Sequence, residues 1–327
     1  MTTEVHPRAF PVTRLHHYLS ARDLTAEATL AVLELAREMK AEHYRRDERP
    51  RLPGRTLAMI FQKPSLRTRV SFEAGMTQLG GHAIYLGPDD IQLGKRESVE
   101  DVAIVLSRMA DLIMARVFGH AIVEELARHA TVPVINGLSD REHPCQALGD
   151  LLTIMERKGR LKGLRLVFVG DGNNVANSLL LAGALTGMDV TVACPEGFEP
   201  PAHVLAEARV LARASGATLG ATSDLHGACE GADVLYTDVW ASMGQESETE
   251  HRRSAFKGYQ LNERVMRLAK PDVVLLHCLP AHYGEEIEYE VSRTPNSAIF
   301  EQAENRLHAQ KALMVTLAGQ PATGRSA

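Results

Sequence analysis

Short apolar runs, each followed by a turn and a longer helical pattern, recur from one end of this chain to the other. Residues 56–61, 82–86, 112–117, 132–136, 165–169, 189–193, 234–237 and 273–276 have the length and apolar character of buried strands. Amphipathic segments separate them. This alternation makes the strands parallel, because each return to the same sheet runs through a crossover helix. A second cycle begins near Gly163, so the expected fold class is α/β, in two domains, each a parallel open sheet flanked by helices. Ligands in such sheets sit beyond the carboxyl ends of the strands, which directs attention to the polar clusters at those ends and to a cleft between the sheets.

The first cluster follows residues 56–61 and reads Phe61-Gln-Lys-Pro-Ser65-Leu66-Arg67-Thr68-Arg69. Pro64 breaks the strand, and a helical pattern runs from Val70 to a stop at Gly80-Gly81. Unpaired N–H groups and the positive end of the helix dipole favour an anion at such a corner. Two guanidiniums and two hydroxyls add donors suited to phosphate. Two arginines could merely solvate a helix start, but Ser-x-Arg-Thr-Arg between strand and helix favours phosphate. The Gly-x-x-x-x-Gly-Lys pattern of a P-loop is missing. Arg116 closes the apolar run 112–117, where an arginine requires a carboxylate or a ligand as its partner. His143 stands just outside a helix that opens with Pro144, which aims its imidazole and Gln146 into the space above the strand ends. Between these clusters, residues 87–97 are rich in glycine and charge, the profile of a mobile loop or lid, and Ser98-Val-Glu-Asp101 offers a capping start to the next helix.

In the second cycle, Gly170-Asp-Gly172-Asn-Asn-Val175 suggests a dinucleotide turn, but the third glycine is replaced by Val175. The next strand also ends without the acidic residue that a ribose requires. Asn173, Asn174 and Asn177 either offer amides to a small polar ligand or cap the helix. Asp238 leaves a strand toward Ser242-Met243-Gly244 and a stretch, 245–253, too hydrophilic to be core. It either holds an ammonium or caps a turn. His277-Cys278-Leu279-Pro280 follows the last apolar run; adjacent side chains diverge, so Cys278 reads as a positioning or proton-handling group and not as a nucleophile with its own base. A final helix, 301–318, brings Arg306 back toward the cleft, and residues up to about 50 read as helical.

A net charge of -5 argues against general nucleic-acid or anionic-membrane binding, so the basic residues that matter are local. Four cysteines with no Cys-x-x-Cys suggest free thiols in a reducing cytoplasm. Neither a signal core nor a run long enough to span a bilayer is visible.

Three separated motifs, Phe61-x-Lys-x-Ser65-x-Arg67-Thr68-Arg69, His143-Pro-x-Gln146 and His277-Cys-Leu-Pro280, together resemble the aspartate and ornithine carbamoyltransferases, in matching order across nearly the whole chain. Asp238-x-x-x-Ser242-Met243-Gly244 resembles the ornithine branch of that family. The resemblance implies carbamoyl transfer from carbamoyl phosphate to the side-chain amine of L-ornithine, with no metal and no organic cofactor. It implies that Ser65, Leu66, Arg67 and Thr68 grip the phosphate, largely through backbone N–H groups at the helix start; Leu66 stands where the family commonly has threonine, a departure that keeps a backbone contact and forgoes a side-chain one. Thr68, Arg116 and His143 then surround the carbonyl oxygen. Gln146, the carbonyls of Cys278 and Leu279, and Arg306 lie near the carbamoyl amide, while Asn174, Asp238, Ser242 and Met243 hold ornithine. Family members form trimers in which a neighbouring subunit's loop completes the phosphate site, and Gln92 stands at that position. The implied domains are 1–147 for carbamoyl phosphate, with a helix 304–320 packing back on it, and 148–303 for ornithine. Sister enzymes acting on putrescine or an N-acylated ornithine, and a non-catalytic carbamoyl-phosphate-binding protein, are the alternatives.

Overall fold

The computed structural model describes residues 16–241 and 248–319 of the 327-residue chain. Its first sheet has four parallel strands, β1 (Thr56–Phe61), β2 (His82–Leu86), β3 (Leu112–Arg116) and β4 (Val134–Leu138), in the order β2-β1-β3-β4. The second has five, β5 (Arg165–Val169), β6 (Asp189–Ala193), β7 (Leu219–Thr222), β8 (Val234–Thr237) and β9 (Val274–His277), in the order β7-β6-β5-β8-β9. Every pairing is parallel, as the alternation requires.

Both sheets reverse direction at one point. In the first, the chain moves outward from β1 to β2 and then returns to the other side of β1; in the second, it moves from β5 to β7 and returns beside β5. Loops leaving the strands on either side of a reversal diverge and leave a crevice at the carboxyl edge. The crevices therefore lie above β1/β3 and β5/β8, where the phosphate corner, Arg116, Asn174 and Asp238 emerge.

The helices are α1 (Ala26–Arg45), α2 (Leu66–Gln78), α3 (Pro88–Ile91), α4 (Val99–Met109), α5 (His120–His129), α6 (Pro144–Lys158), α7 (Asn174–Thr186), α8 (Ala202–Ser215), α9 (Leu225–Cys229), α10 (Thr249–Ala255), α11 (Glu263–Met266) and α12 (Ile299–Ala318). Helix α12 packs along α1, α2 and α6, so the end of the chain lies on the helices of the first sheet. One apolar cluster runs from Leu57 and Met59 through Leu148 and Leu151 to Leu166 and Leu180, which ties the two sheets into one packed body.

Several local expectations shift. Helix α2 starts at Leu66 and not at Val70, so Arg67 to Arg69 lie in its first turn. Strand β4 runs two residues later than 132–136: Pro133 has no N–H to donate, and only its carbonyl joins the ladder, accepting from Ile113 N at 2.9 Å. Tyr18 covers the free edge of β4, bonding Val134 O and Asn136 N at 2.8 Å each. Strand β7 has no apolar run to announce it, since only Leu219 is buried at this sheet edge. Helix α5 shows the same weakness, burying Val123 and Leu126 alone. The second glycine of the turn after β5 has a packing reason: a Cβ on Gly172 would stand 2.2 Å from Pro200 N, in the loop after β6.

Candidate active site

Ser65 caps α2, its Oγ accepting from Thr68 N at 3.3 Å. Arg67 then reaches across the cleft and donates from Nη2 to Leu279 O at 2.7 Å. Arg69, read as the second guanidinium of the corner, turns away; it pairs with Glu73 at 3.1 Å and lies 4.1 Å over the Tyr85 ring. Side chains two apart on a helix point about 200° apart, so only one of the two can face the cleft. Arg116, at the end of β3, and Arg306, from α12, take its place. Arg116 Nη1 and Arg306 Nη2 both donate to Thr68 Oγ1, at 3.3 and 3.0 Å. With its lone pairs occupied, the Thr68 hydroxyl has only its proton left to offer.

Among the described residues, no carboxylate forms an ion pair with Arg67, Arg116 or Arg306. Burial, then the charges of Arg306 and Arg67, pull the Arg116 pKa down to about 10. The Nε atoms of Arg116 and Arg306 are buried without partners. Three guanidiniums held together with unspent donors repel one another until an anion joins them.

His143 caps α6, its N–H donating to Ser178 Oγ at 3.0 Å. Burial, reinforced by Arg306, Arg116 and Arg67, holds its pKa well below the ordinary histidine range. The imidazole is therefore neutral near pH 7, and its buried Nδ1 has no partner. One helical turn on, the Gln146 oxygen is also unpartnered, while its Nε2 donates to Asp150 Oδ1 at 2.8 Å.

The opposite wall is built on β5, β8 and β9. Asn173 caps α7 through its Oδ1 and donates from Nδ2 to Asp238 Oδ2 at 2.9 Å. Asn174 Nδ2 donates across the cleft to Ser139 O at 2.7 Å. Asp238 Oδ1 accepts from Val239 N at 2.8 Å and from the Cys278 thiol at 2.9 Å. Burial, then Asp238, pushes that thiol well above its usual range, so it stays protonated as a donor. His277 lies behind the wall: its Nε2 meets Glu286 at 2.9 Å and its Nδ1 accepts from Leu279 N at 2.9 Å. These bonds hold Leu279 in the left-handed region, φ +60°, with its carbonyl toward Arg67. Ligand atoms of Asp238, His277 and Cys278 lie within 4.8 Å of one another, but both imidazole nitrogens are already committed.

Ser65, Leu66, Arg67, Arg116, His143, Gln146, Asn174, Asp238, Cys278, Leu279 and Arg306 thus line one cavity of about 820 Å³ between the sheets. Thr68 sits directly behind its wall. Gln92 is exposed at the end of α3, away from this chain's cavity, with φ +47°. Ser242 and Met243 lie outside the described residues. Among the lining residues that escaped the sequence reading are Arg252 and Asp171. Arg252, from the stretch read as too hydrophilic for core, is buried and binds Asp171 Oδ2 at 2.7 Å and Trp240 O at 3.0 Å. Periodicity could not have found this pair, because its members are 81 residues apart.

A cationic crevice above one parallel sheet facing an acid–amide–thiol wall above another defines a two-substrate group-transfer site. Residues 16–156 match the sequence model of the aspartate/ornithine carbamoyltransferase carbamoyl-P binding domain, and residues 162–317 that of the Asp/Orn binding domain. This chain belongs to the aspartate/ornithine carbamoyltransferase family. The anabolic ornithine carbamoyltransferase of Pyrococcus furiosus is 54% identical over 301 residues, 92% of this chain and 96% of that protein. The ornithine carbamoyltransferase of Anoxybacillus flavithermus is also 54% identical, over 300 residues covering 92% and 96%. A solved Pyrococcus furiosus ornithine carbamoyltransferase superposes with a TM-score of 0.92 at 52% identity, covering 95% of this chain and 100% of that one.

Proposed function

We propose that this chain transfers the carbamoyl group of carbamoyl phosphate to the side-chain amine of L-ornithine, giving L-citrulline and phosphate. The observation that carries this is the set of three guanidiniums without a carboxylate, Arg116 and Arg306 buried and Arg67 half-buried, beside a neutral imidazole and facing Asp238 across the cleft. Ser65, Arg67 and the backbone N–H groups of Leu66 and Thr68 hold the phosphate. Arg116, His143 and the Thr68 proton are aimed at the carbonyl oxygen, where negative charge develops as the amine attacks. Gln146, the carbonyls of Cys278 and Leu279, and Arg306 surround the carbamoyl amide. Asn174, Asp238, Ser242 and Met243 hold ornithine.

The N–C bond forms as the C–O bond to phosphate breaks, and phosphate leaves with the electron pair. The side-chain ammonium gives one proton to solvent to become a nucleophile, and the attacking amine must shed a second as the N–C bond forms. Cys278 keeps its own proton and cannot take another, and the departing phosphate, released with the electron pair of the broken C–O bond, is the basic group beside the attacking amine and takes the proton. Carbamoyl phosphate arrives activated, so proximity and oxyanion donors suffice without a covalent intermediate.

The domain division that supports this reading runs after residue 147: the described residues up to there, with α12 packed back on them, hold carbamoyl phosphate, and 148–303 hold ornithine. The working unit is a homotrimer or a multiple of it, in which exposed Gln92 enters a neighbour's phosphate site. Four free cysteines suit the cytoplasm. No helix among the described residues is long and apolar enough to cross a membrane.

The test is a colorimetric citrulline assay with carbamoyl phosphate and, in parallel, L-ornithine, putrescine, N-acetylornithine and aspartate. Ureido product from ornithine alone is expected. Carbamoylation of putrescine or N-acetylornithine instead would move the assignment to a sister enzyme, and binding of phosphonate analogues without turnover would make it a non-catalytic binder.

A further inference from the structure

The carboxamide of Gln146 can present either its oxygen or its NH2 to the cleft, and the two choices recognise opposite ligands. Its orientation is settled by groups outside the cavity. The backbone N–H of His277 is an unambiguous donor and bonds Gln302 Oε1 at 2.8 Å. Gln302 must therefore turn its NH2 the other way, where it donates to Asp150 Oδ1 at 2.7 Å and to Tyr236 OH at 3.0 Å. Asp150 Oδ1 is an acceptor, and the only group that Gln146 can offer it is its own NH2, at 2.8 Å. The Gln146 oxygen is left facing the cleft, buried and without a partner.

We infer that Asp150 is a positioning residue that fixes Gln146 with its oxygen toward the substrate, so that the site selects an acyl phosphate bearing an N–H over one bearing a methyl group. This rests on the carbamoyl-transfer reading above and adds to it the source of acyl-group selectivity. Asp150 is fully buried one helical turn behind Gln146 on α6, and α12 supplies the other arm of the relay. Burial raises the Asp150 pKa to about 7, opposed by its hydrogen bonds. Ionisation does not alter the relay, because the free oxygen Oδ2 can carry the proton while Oδ1 still accepts twice. An acceptor buried in this way penalises a methyl group, which leaves it unpaired.

The test uses two phosphonates of equal shape, phosphonoacetamide with an NH2 and 2-oxopropylphosphonate with a methyl group, titrated by calorimetry with orthophosphate as a control. The native protein should prefer the amide by at least about tenfold. Asp150→Val should bring that ratio close to one while orthophosphate affinity stays unchanged. Asp150→Asn should restore the ratio, because Gln302 still demands an acceptor and the Asn oxygen supplies one. Should the valine variant not fold, Asp150→Ser serves, its hydroxyl being too short to reach Gln146, and the same collapse is expected. A native ratio near one, or an unchanged ratio in the valine or serine variant, overturns the relay. Loss of preference in Asp150→Asn would overturn it in favour of charge. Citrulline formation by the same native preparation reports separately on the reading beneath it.

Discussion

The two walls of the cleft are built from different materials. The carbamoyl-phosphate wall gathers like charges: Arg67, Arg116 and Arg306 come from a helix start, a strand end and the last helix; the last two converge on the Thr68 hydroxyl, while Arg67 reaches the Leu279 carbonyl. The ornithine wall satisfies its charge locally, with Asp238 accepting from Asn173, Val239 and Cys278 before any ligand arrives. One wall is unsatisfied until an anion fills it; the other is a finished network with a carboxylate at its centre. Substrate order follows from that difference, since a cationic amino acid is repelled from a cleft whose three guanidiniums are uncompensated.

Substitutions should separate the walls. The largest effect is expected from Arg116→Ala, which removes an oxyanion donor; kcat/KM should fall at least about a hundredfold in steady-state assays. A loss under tenfold would mean that His143 and Thr68 carry the oxyanion between them. Cys278→Ala acts on the other wall by deleting a donor to Asp238. It should raise the ornithine KM about tenfold and leave the carbamoyl phosphate KM unchanged. If both constants rise together, the two walls are coupled more tightly than their hydrogen bonds indicate.

A smaller, structural effect is expected at the base of the ornithine wall. Gly172→Ala forces a Cβ against Pro200 and should destabilise the fold by about 1–3 kcal/mol, read from denaturant midpoints. An unchanged midpoint would show that the loop after β6 yields freely.

The smallest effect concerns pH. His17 and His308 have pKa values held at about 4 by burial, and His120 and His143 are also held down. The unfolded chain takes up these protons from about pH 6.5, so each histidine contributes stability above 6.5 that is lost as the pH falls. Asp150, raised to about 7, and Glu142 and Asp171, also raised by burial, work in the opposite direction over the acid range. Four histidines against three carboxyls leave a net loss, so Tm should drop between pH 7.5 and 5. A flat profile would place the burial of these histidines in doubt.

What the sequence disclosed follows the same division. Strands such as β1 and β5, buried on both faces, announce themselves as apolar runs; β7 and α5 bury too little to do so. Arg116 and His143 are visible as polar groups at strand and helix ends. The turning away of Arg69 depends on where α2 begins, at Leu66, four residues before the point at which the pattern becomes helical. Asp150, Gln302 and the Arg252–Asp171 pair act through contacts between distant segments, which no local period records. Ser242 and Met243, the residues that resemble the ornithine branch, lie outside the described residues.

The most direct test of this contrast is to titrate L-ornithine calorimetrically into the protein with and without saturating phosphonoacetamide. Filling the cationic wall should tighten ornithine binding at least about tenfold. Equal affinity in both titrations would contradict the account, because it would mean that the three guanidiniums do not govern what the opposite wall accepts.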